Sequence, residues 1–81
     1  MSKFVNFANG MVRDIIPVTE DVEIDGFAVG LYITDGGDVN FVTPEGEERT
    51  ITVPDNFNLI CLVKEVKSAG TDASGIHAYV I

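Results

Sequence analysis

Apolar and polar residues alternate along three short runs in the middle of the chain, at 27–34, 39–43 and 49–53. The runs are rich in β-branched and aromatic residues, and a period of two with this composition is typical of β-strands. The connections between them, at 35–38 and 44–48, are short and contain glycine, which accepts the positive φ angles of tight hairpins. The pattern therefore predicts two consecutive hairpins that form an antiparallel meander.

The two faces of these predicted strands differ in character. In the first run one face carries the large apolar side chains Phe27, Val29, Leu31 and Ile33. The opposite face carries small or amphipathic residues, which predicts a strand that is buried on nearly both sides. Gly30 interrupts this run and is expected to mark a bulge or a close approach of another backbone. In the next two runs the residues that should face inward are Val39, Phe41, Ile51 and Val53.

The flanking segments predict further strands. Pro17 removes a ladder donor, so the strand near residues 15–18 should lie at an edge or begin after the proline. Residues 20–25 alternate acidic with apolar positions, and Val22 and Ile24 are expected to face inward. Residues 59–68 fit a long strand and also fit helical spacing; their Ile and Val content and the lack of helix caps favour the strand. Residues 76–81 close the chain as a strand, for a total of six or seven.

This series of short strands predicts an all-β fold, a small antiparallel β-sandwich or barrel. The expected division is an N-terminal arm or edge segment at residues 1–16 and a single domain at residues 17–81. Residues 1–13 fit an extended arm, a local edge strand or a short helix, because Phe4, Phe7 and Met11 also share a helical face. Exposed phenylalanines are costly, so Phe4 and Phe7 are expected to be buried, for instance against a neighbouring subunit.

Charge and size narrow the range of partners. The 81 residues include 13 acidic and 5 basic side chains, for a net charge of −8. Phosphate binding requires clustered Lys and Arg, so neither nucleic acid nor an anionic membrane surface is an expected partner. A core of this size contributes only about 3–5 kcal/mol net, which makes oligomerisation a reasonable expectation. No signal peptide or membrane-spanning run is visible, so synthesis in a cytoplasm is expected.

Signals of enzymatic chemistry are weak. The single cysteine, Cys61, lies in an apolar run and is expected to be a small buried hydrophobe that forms no internal disulfide. His77 is the only histidine and should be a surface or inter-subunit residue. The carboxylates at 20–25 and at 35–38 match no calcium loop of defined spacing and are better explained as a solvated face and a turn. No catalytic residue, cofactor or metal site is therefore predicted.

Five segments, in their order along the chain, carry a resemblance to a known family. They are Gly-Leu-Tyr-Ile at 30–33, Gly-Asp-Val at 37–39, Ile-Thr-Val-Pro at 51–54, the apolar run at 59–66, and Ala-Gly-Thr-Asp-Ala-Ser-Gly-Ile at 69–76. Residues 17–81 resemble the small head-spike base proteins of tailed phages and gene transfer agents. The chain departs from that pattern in the turn after Pro54, in the Ile60-Cys61 pair and in the acidic connection at 44–48.

The resemblance implies a non-enzymatic virion part on the outer capsid surface, a head-spike base or decoration protein. It implies a symmetric oligomer, such as a pentamer or trimer, with the major capsid protein and a head fibre protein as partners. The residues expected at interfaces are Phe4, Val5, Phe7, Met11, Tyr32, His77 and Tyr79. The alternative is a carbohydrate-binding or adhesion module of a phage; the absence of Trp weakens it, but Tyr32 and Tyr79 are available as a platform.

Overall fold

The computed structural model describes residues 12–81, which form two antiparallel sheets packed face to face. The strands are β1 (Asp14–Pro17), β2 (Ala28–Asp35), β3 (Gly37–Val42), β4 (Glu48–Val53), β5 (Phe57–Leu59), β6 (Glu65–Lys67) and β7 (Ser74–Val80). The four-stranded sheet has the order β1-β7-β2-β5, and the three-stranded sheet has the order β4-β3-β6. The prediction of a small all-β sandwich is confirmed, and residues 12–81 contain no helix.

The core lies between the inner faces of the two sheets. The four-stranded sheet contributes Ala28, Leu31, Ile33, Ile76 and Ala78, and the three-stranded sheet contributes Val39, Phe41, Val53 and Val66. Ile24 and Val63 add to this core from the connecting segments. No polar or charged side chain among residues 12–81 is buried in it. Burial of apolar area is therefore the main term that stabilises the fold.

Several expectations about the strands are confirmed. β3 and β4 form the predicted hairpin, in which Val39 pairs with Ile51. β1 lies at the edge of its sheet. Proline has no N–H group to donate, and this is tolerated in an edge strand, which has a neighbour on one side only. The register between β2 and β7 shifts between Ala28 and Gly30, which is the expected bulge.

The predicted meander is wrong at its first hairpin. β2 and β3 do not pair; they belong to different sheets, and the chain crosses between the sheets at Gly36. A Cβ atom at Gly36 would lie 2.8 Å from the amide nitrogen of Asp55 and even closer to main-chain atoms of residues 53 and 54. Only glycine fits at this position. The glycine pair at 36–37, which resembles a hairpin turn in sequence, therefore lets the chain pass from one sheet to the other.

Two other predicted strands are also corrected. Residues 20–25 form a loop. The amides of Asp21 and Ile24 donate hydrogen bonds to the carbonyl oxygens of Val66 in β6 and of Lys64 just before it, and Val22 is exposed. The predicted strand at 59–68 is two short strands in different sheets, β5 and β6, joined by an irregular segment. The bulge in β2 places Ala28 in the core, where alternation predicts Val29. Phe27 precedes the strand, has a φ of +66°, and is 42% exposed instead of buried.

Candidate docking surface

The outer face of the four-stranded sheet brings together the three predicted interface residues of the described chain. Tyr32 on β2 is the cross-strand partner of His77 on β7, and Tyr79 lies two residues further along β7 on the same face. On the edge strand β1, Pro17 is the partner of His77 and Ile15 is the partner of Tyr79. Directly paired residues of antiparallel strands project to the same side, so these five form one continuous patch. We call it the tyrosine face.

The ring of Tyr79 lies across β2. Its Cδ2 atom is 3.3 Å from the position that a Cβ atom would occupy at Gly30, and its hydroxyl donates a 2.7 Å hydrogen bond to Oδ1 of Asn58 on β5. The absence of a side chain at Gly30 therefore allows one ring to span three adjacent strands. The hydroxyl of Tyr32 is held in the same way, by a 2.9 Å hydrogen bond to Oδ1 of Asn56. Both rings are half-buried, and each is tied to a neighbouring residue by its hydroxyl.

His77 and Cys61, the latter half-buried and not, as predicted, fully buried, each lie against a different main-chain carbonyl group. Nδ1 of His77 lies 3.2 Å from the carbonyl oxygen of Gly75, and the ring is half-buried beside Tyr32. The thiol of Cys61 packs against the edge of the core and donates a weak bond to the carbonyl oxygen of Leu62, at 3.4 Å. An open groove lies along residues 71–76 with Val18 and Glu20, and His77 does not line it.

A second feature lies where the tyrosine face meets one end of the sandwich. The strand registers place Asp14, Val80, Ala28 and Val63 in one row, so the residues beside them share one end of the four-stranded sheet. This end carries five of the six large apolar side chains that are exposed among residues 12–81, namely Ile15, Phe27, Ile60, Leu62 and Ile81. Ile60 is 80% exposed. We call these five residues the apolar end.

The start of the described chain is at this same end. The amide of Arg13 donates a 2.8 Å hydrogen bond to the carbonyl oxygen of Val80, the last residue of β7. The remaining predicted interface residues, Phe4, Val5, Phe7 and Met11, lie outside the described residues. The predicted division of the chain near residue 16 remains a prediction for the same reason.

The opposite end of the sandwich is polar, and its carboxylates serve the backbone. Asp55 accepts a 2.7 Å hydrogen bond from the amide of Gly36, and Asp72 accepts a 2.6 Å hydrogen bond from the amide of Asp38. Asp35 accepts a hydrogen bond from the hydroxyl of Ser74. Within residues 12–81 no three His, Cys, Asp or Glu side chains are grouped so that they could hold a metal ion. These acidic residues therefore act as turn and loop caps.

The loop at 18–27 is attached to β6 by a carboxylate. Asp21 accepts two hydrogen bonds from Ser68, one from the amide at 3.0 Å and one from the hydroxyl at 2.5 Å. These bonds, with a smaller contribution from the positive charge of Lys67, lower the pKa of Asp21 below its ordinary value. Exposed ion pairs such as Lys64 with Glu23, at 3.5 Å, add little to stability.

A solved structure described as "Capsid of native GTA particle computed with C5 symmetry" contains a chain with the same fold. The two chains superpose with a TM-score of 0.77 and 17% sequence identity, over 93% of this chain and 90% of the other. No protein-family profile matches the sequence. No curated protein matches it either. At this level of identity the similarity defines the fold alone, a two-sheet antiparallel sandwich.

Within residues 12–81 there is no helix that could cross a membrane. The sequence predicts Tyr32, His77 and Tyr79 as interface residues, and it gives no sign of the apolar end. Phe27 is predicted to share a face with Leu31 and Ile33, and Ile60 lies in a run that predicts one long strand, because the alternation gives no sign of a bulge or a strand break. The one local signal is Gly30, which marks the bulge that breaks the alternation at the start of β2.

Proposed function

We propose that the chain is a non-enzymatic structural protein of a phage-like particle. It sits on the outer surface of the capsid as a head-spike base or decoration protein, binds the major capsid protein and carries a head fibre protein. Copies associate into a closed symmetric oligomer, a pentamer or a trimer. The observation that carries the proposal is the likeness of nearly the whole chain to a chain in a capsid structure.

The surface of the domain supports a role in assembly. Soluble monomers rarely leave several large apolar side chains together in contact with water, and such clusters mark sites of protein association. The apolar end and the tyrosine face are adjacent and share Ile15. Aromatic side chains are enriched in the centres of protein interfaces because they provide large contact areas at a low cost in conformational entropy. The described residues thus present a ready surface for protein contacts.

The test is incorporation into particles. A tagged chain is produced in a host that makes the particles, and purified particles are examined by quantitative mass spectrometry and by reconstruction. The double variant I60S/L62S should fold with an unchanged circular dichroism spectrum, since both side chains are exposed, and should be lost from the particles. The control V22S removes an exposed apolar side chain elsewhere and should be incorporated normally. Full incorporation of I60S/L62S, or absence of the unaltered chain from particles, would contradict the proposal.

The second candidate function is a carbohydrate-binding or adhesion module of a phage. It is favoured by one observation, the two half-buried tyrosine rings on an open sheet face. Flat aromatic surfaces stack on sugar rings, and Asn56 and Asn58 offer amide groups beside them. A glycan array with the variants Y32A and Y79A tests this candidate. Binding that both variants abolish would establish it, and the absence of any signal would remove it.

A further inference from the structure

The edges of the four-stranded sheet have different roles at the apolar end. β1 forms one edge, and the chain enters it from residues 1–11. β5 forms the other edge, and the exposed Ile60 and Leu62 follow it directly. With strands about 4.8 Å apart, the two edges are separated by three spacings, or about 14 Å. The segment that leads into the domain and the most exposed part of the apolar end therefore lie on opposite sides of the same end.

The direction of β1 determines where the preceding residues join the domain. β1 begins with Asp14 at the apolar end and runs away from this end toward Pro17, so residues 1–11 are connected to the domain at the apolar end. Docking on the apolar end of the same molecule requires the chain to reverse and then to cross the width of the sheet. Docking on an adjacent copy whose β5 edge faces β1 requires neither. Eleven residues extend up to about 36 Å, which is ample for that contact.

The composition of residues 1–11 matches this surface. The segment carries Phe4, Val5, Phe7 and Met11, and its only charged side chain is Lys3. The rest of the chain has all 13 carboxylates and four basic side chains, a net charge of −9. A positively charged apolar segment is attracted to an acidic neighbour, whereas the bodies of two copies repel one another.

We propose that residues 1–11 of one copy cover Ile60 and Leu62 at the apolar end of the next copy, in a head-to-tail arrangement. The donor segment and the acceptor surface lie on opposite edges of one sheet, which is the geometry of a heterologous interface, and such interfaces close into rings when the rotation permits. This inference rests on the symmetric oligomer of the proposed function and names the surfaces that join its copies.

Cys61, between Ile60 and Leu62, provides a direct test because it is the only cysteine. The variant N6C places a second thiol between two apolar residues of the segment and leaves them intact. After mild oxidation of the purified full chain, we expect a ladder of disulfide-linked species on non-reducing gels that ends at the number of copies in the ring. Reduction should return every band to the monomer.

Each other outcome overturns the inference. A monomer that has lost both free thiols shows docking within one molecule, a dimer alone shows reciprocal exchange between two copies, and retention of both thiols shows no docking. The control E20C carries the second cysteine on an exposed loop outside the segment and should form no ladder. The variant F4S/F7S should dissociate the oligomer in native mass spectrometry while the circular dichroism spectrum stays β-rich.

The outcome is independent of the particle experiment. A chain that enters particles but gives no ladder leaves the proposed function intact and removes only the head-to-tail contact. A chain that gives the ladder but never enters particles leaves the contact intact and removes the role on the capsid.

Discussion

The crossing at Gly36 yields the sharpest prediction about the fold. Replacement of Gly36 by Ala adds a Cβ atom 2.5 Å from the carbonyl carbon of Pro54 and 2.8 Å from the amide nitrogen of Asp55. Ordinary contacts between such atoms are about 3.5–4.0 Å, so roughly 1 Å of displacement is required. The neighbours are main-chain atoms and cannot rotate away, and the amide of Gly36 is also held by the Asp55 carboxylate. We expect a loss of about 3 kcal/mol, the upper part of the usual range for overpacking.

The assay is thermal unfolding followed by circular dichroism. For a domain of this size about 1 kcal/mol corresponds to roughly 4–8 °C in Tm, so G36A should lower the Tm by roughly 12–24 °C. The matched control is G46A at the tip of the β3–β4 hairpin, where φ is +88° and no atom lies within 4 Å of the added Cβ. That variant carries left-handed strain without a steric clash and should cost about 1 kcal/mol. If G36A loses no more stability than G46A, the steric explanation of the crossing is wrong.

Three further predictions concern other parts of the sandwich. Y79F removes the hydrogen bond to Asn58 and should lower the free energy of unfolding by about 0.5–1 kcal/mol in urea titrations, whereas an unchanged value would show that the bond is replaced by water. Leu31→Ala opens a cavity at a fully buried site and should cost about 2–5 kcal/mol; a smaller loss would mean that the sheets close over the gap. D21N should lower the Tm at neutral pH, because the hydrogen bonds from Ser68 lower the pKa of Asp21 in the folded state. The stability that this carboxylate contributes is present above its unfolded pKa of about 4 and is lost as the pH falls through the folded pKa. The Tm difference between the parent and D21N should therefore shrink in acid, and a constant difference down to the acid transition would contradict this.

The strands of this fold could be predicted from alternation, but their partners could not. β3 and β4 are joined by a short turn and pair locally, so a pattern of local period and turn residues is sufficient. β2 pairs with β7 and β5, which are far away along the chain, and the glycines at 36–37 are equally compatible with a hairpin and with a crossing. Whether the chain forms a hairpin or a crossing at this point depends on how the strands pack in the assembled core, which local sequence does not reveal.

The candidate surface shows the same division. Simple alternation places His77 on the face opposite Ile76 and Ala78, and this holds because β7 is regular at these residues. The exposure of Phe27 and Ile60 is not evident from the sequence, because a bulge and a strand break each shift the period locally and leave no distinct composition. The sequence therefore predicts which side chains of a regular strand are buried. It does not predict this at bulges and strand breaks, which is where the exposed apolar residues lie.

The position of the Tyr79 ring has a consequence for the affinity of any partner that binds on it. A side chain that must be immobilised on binding costs about 0.5–1.5 kcal/mol, and here the folded domain has already met that cost through Gly30 and Asn58. The binding surface is thus preorganised, so its specificity depends on shape complementarity with the partner and not on rearrangement of the ring. Loosening the ring should therefore weaken such a contact, even where the partner makes no bond to the Tyr79 hydroxyl, which donates to Asn58.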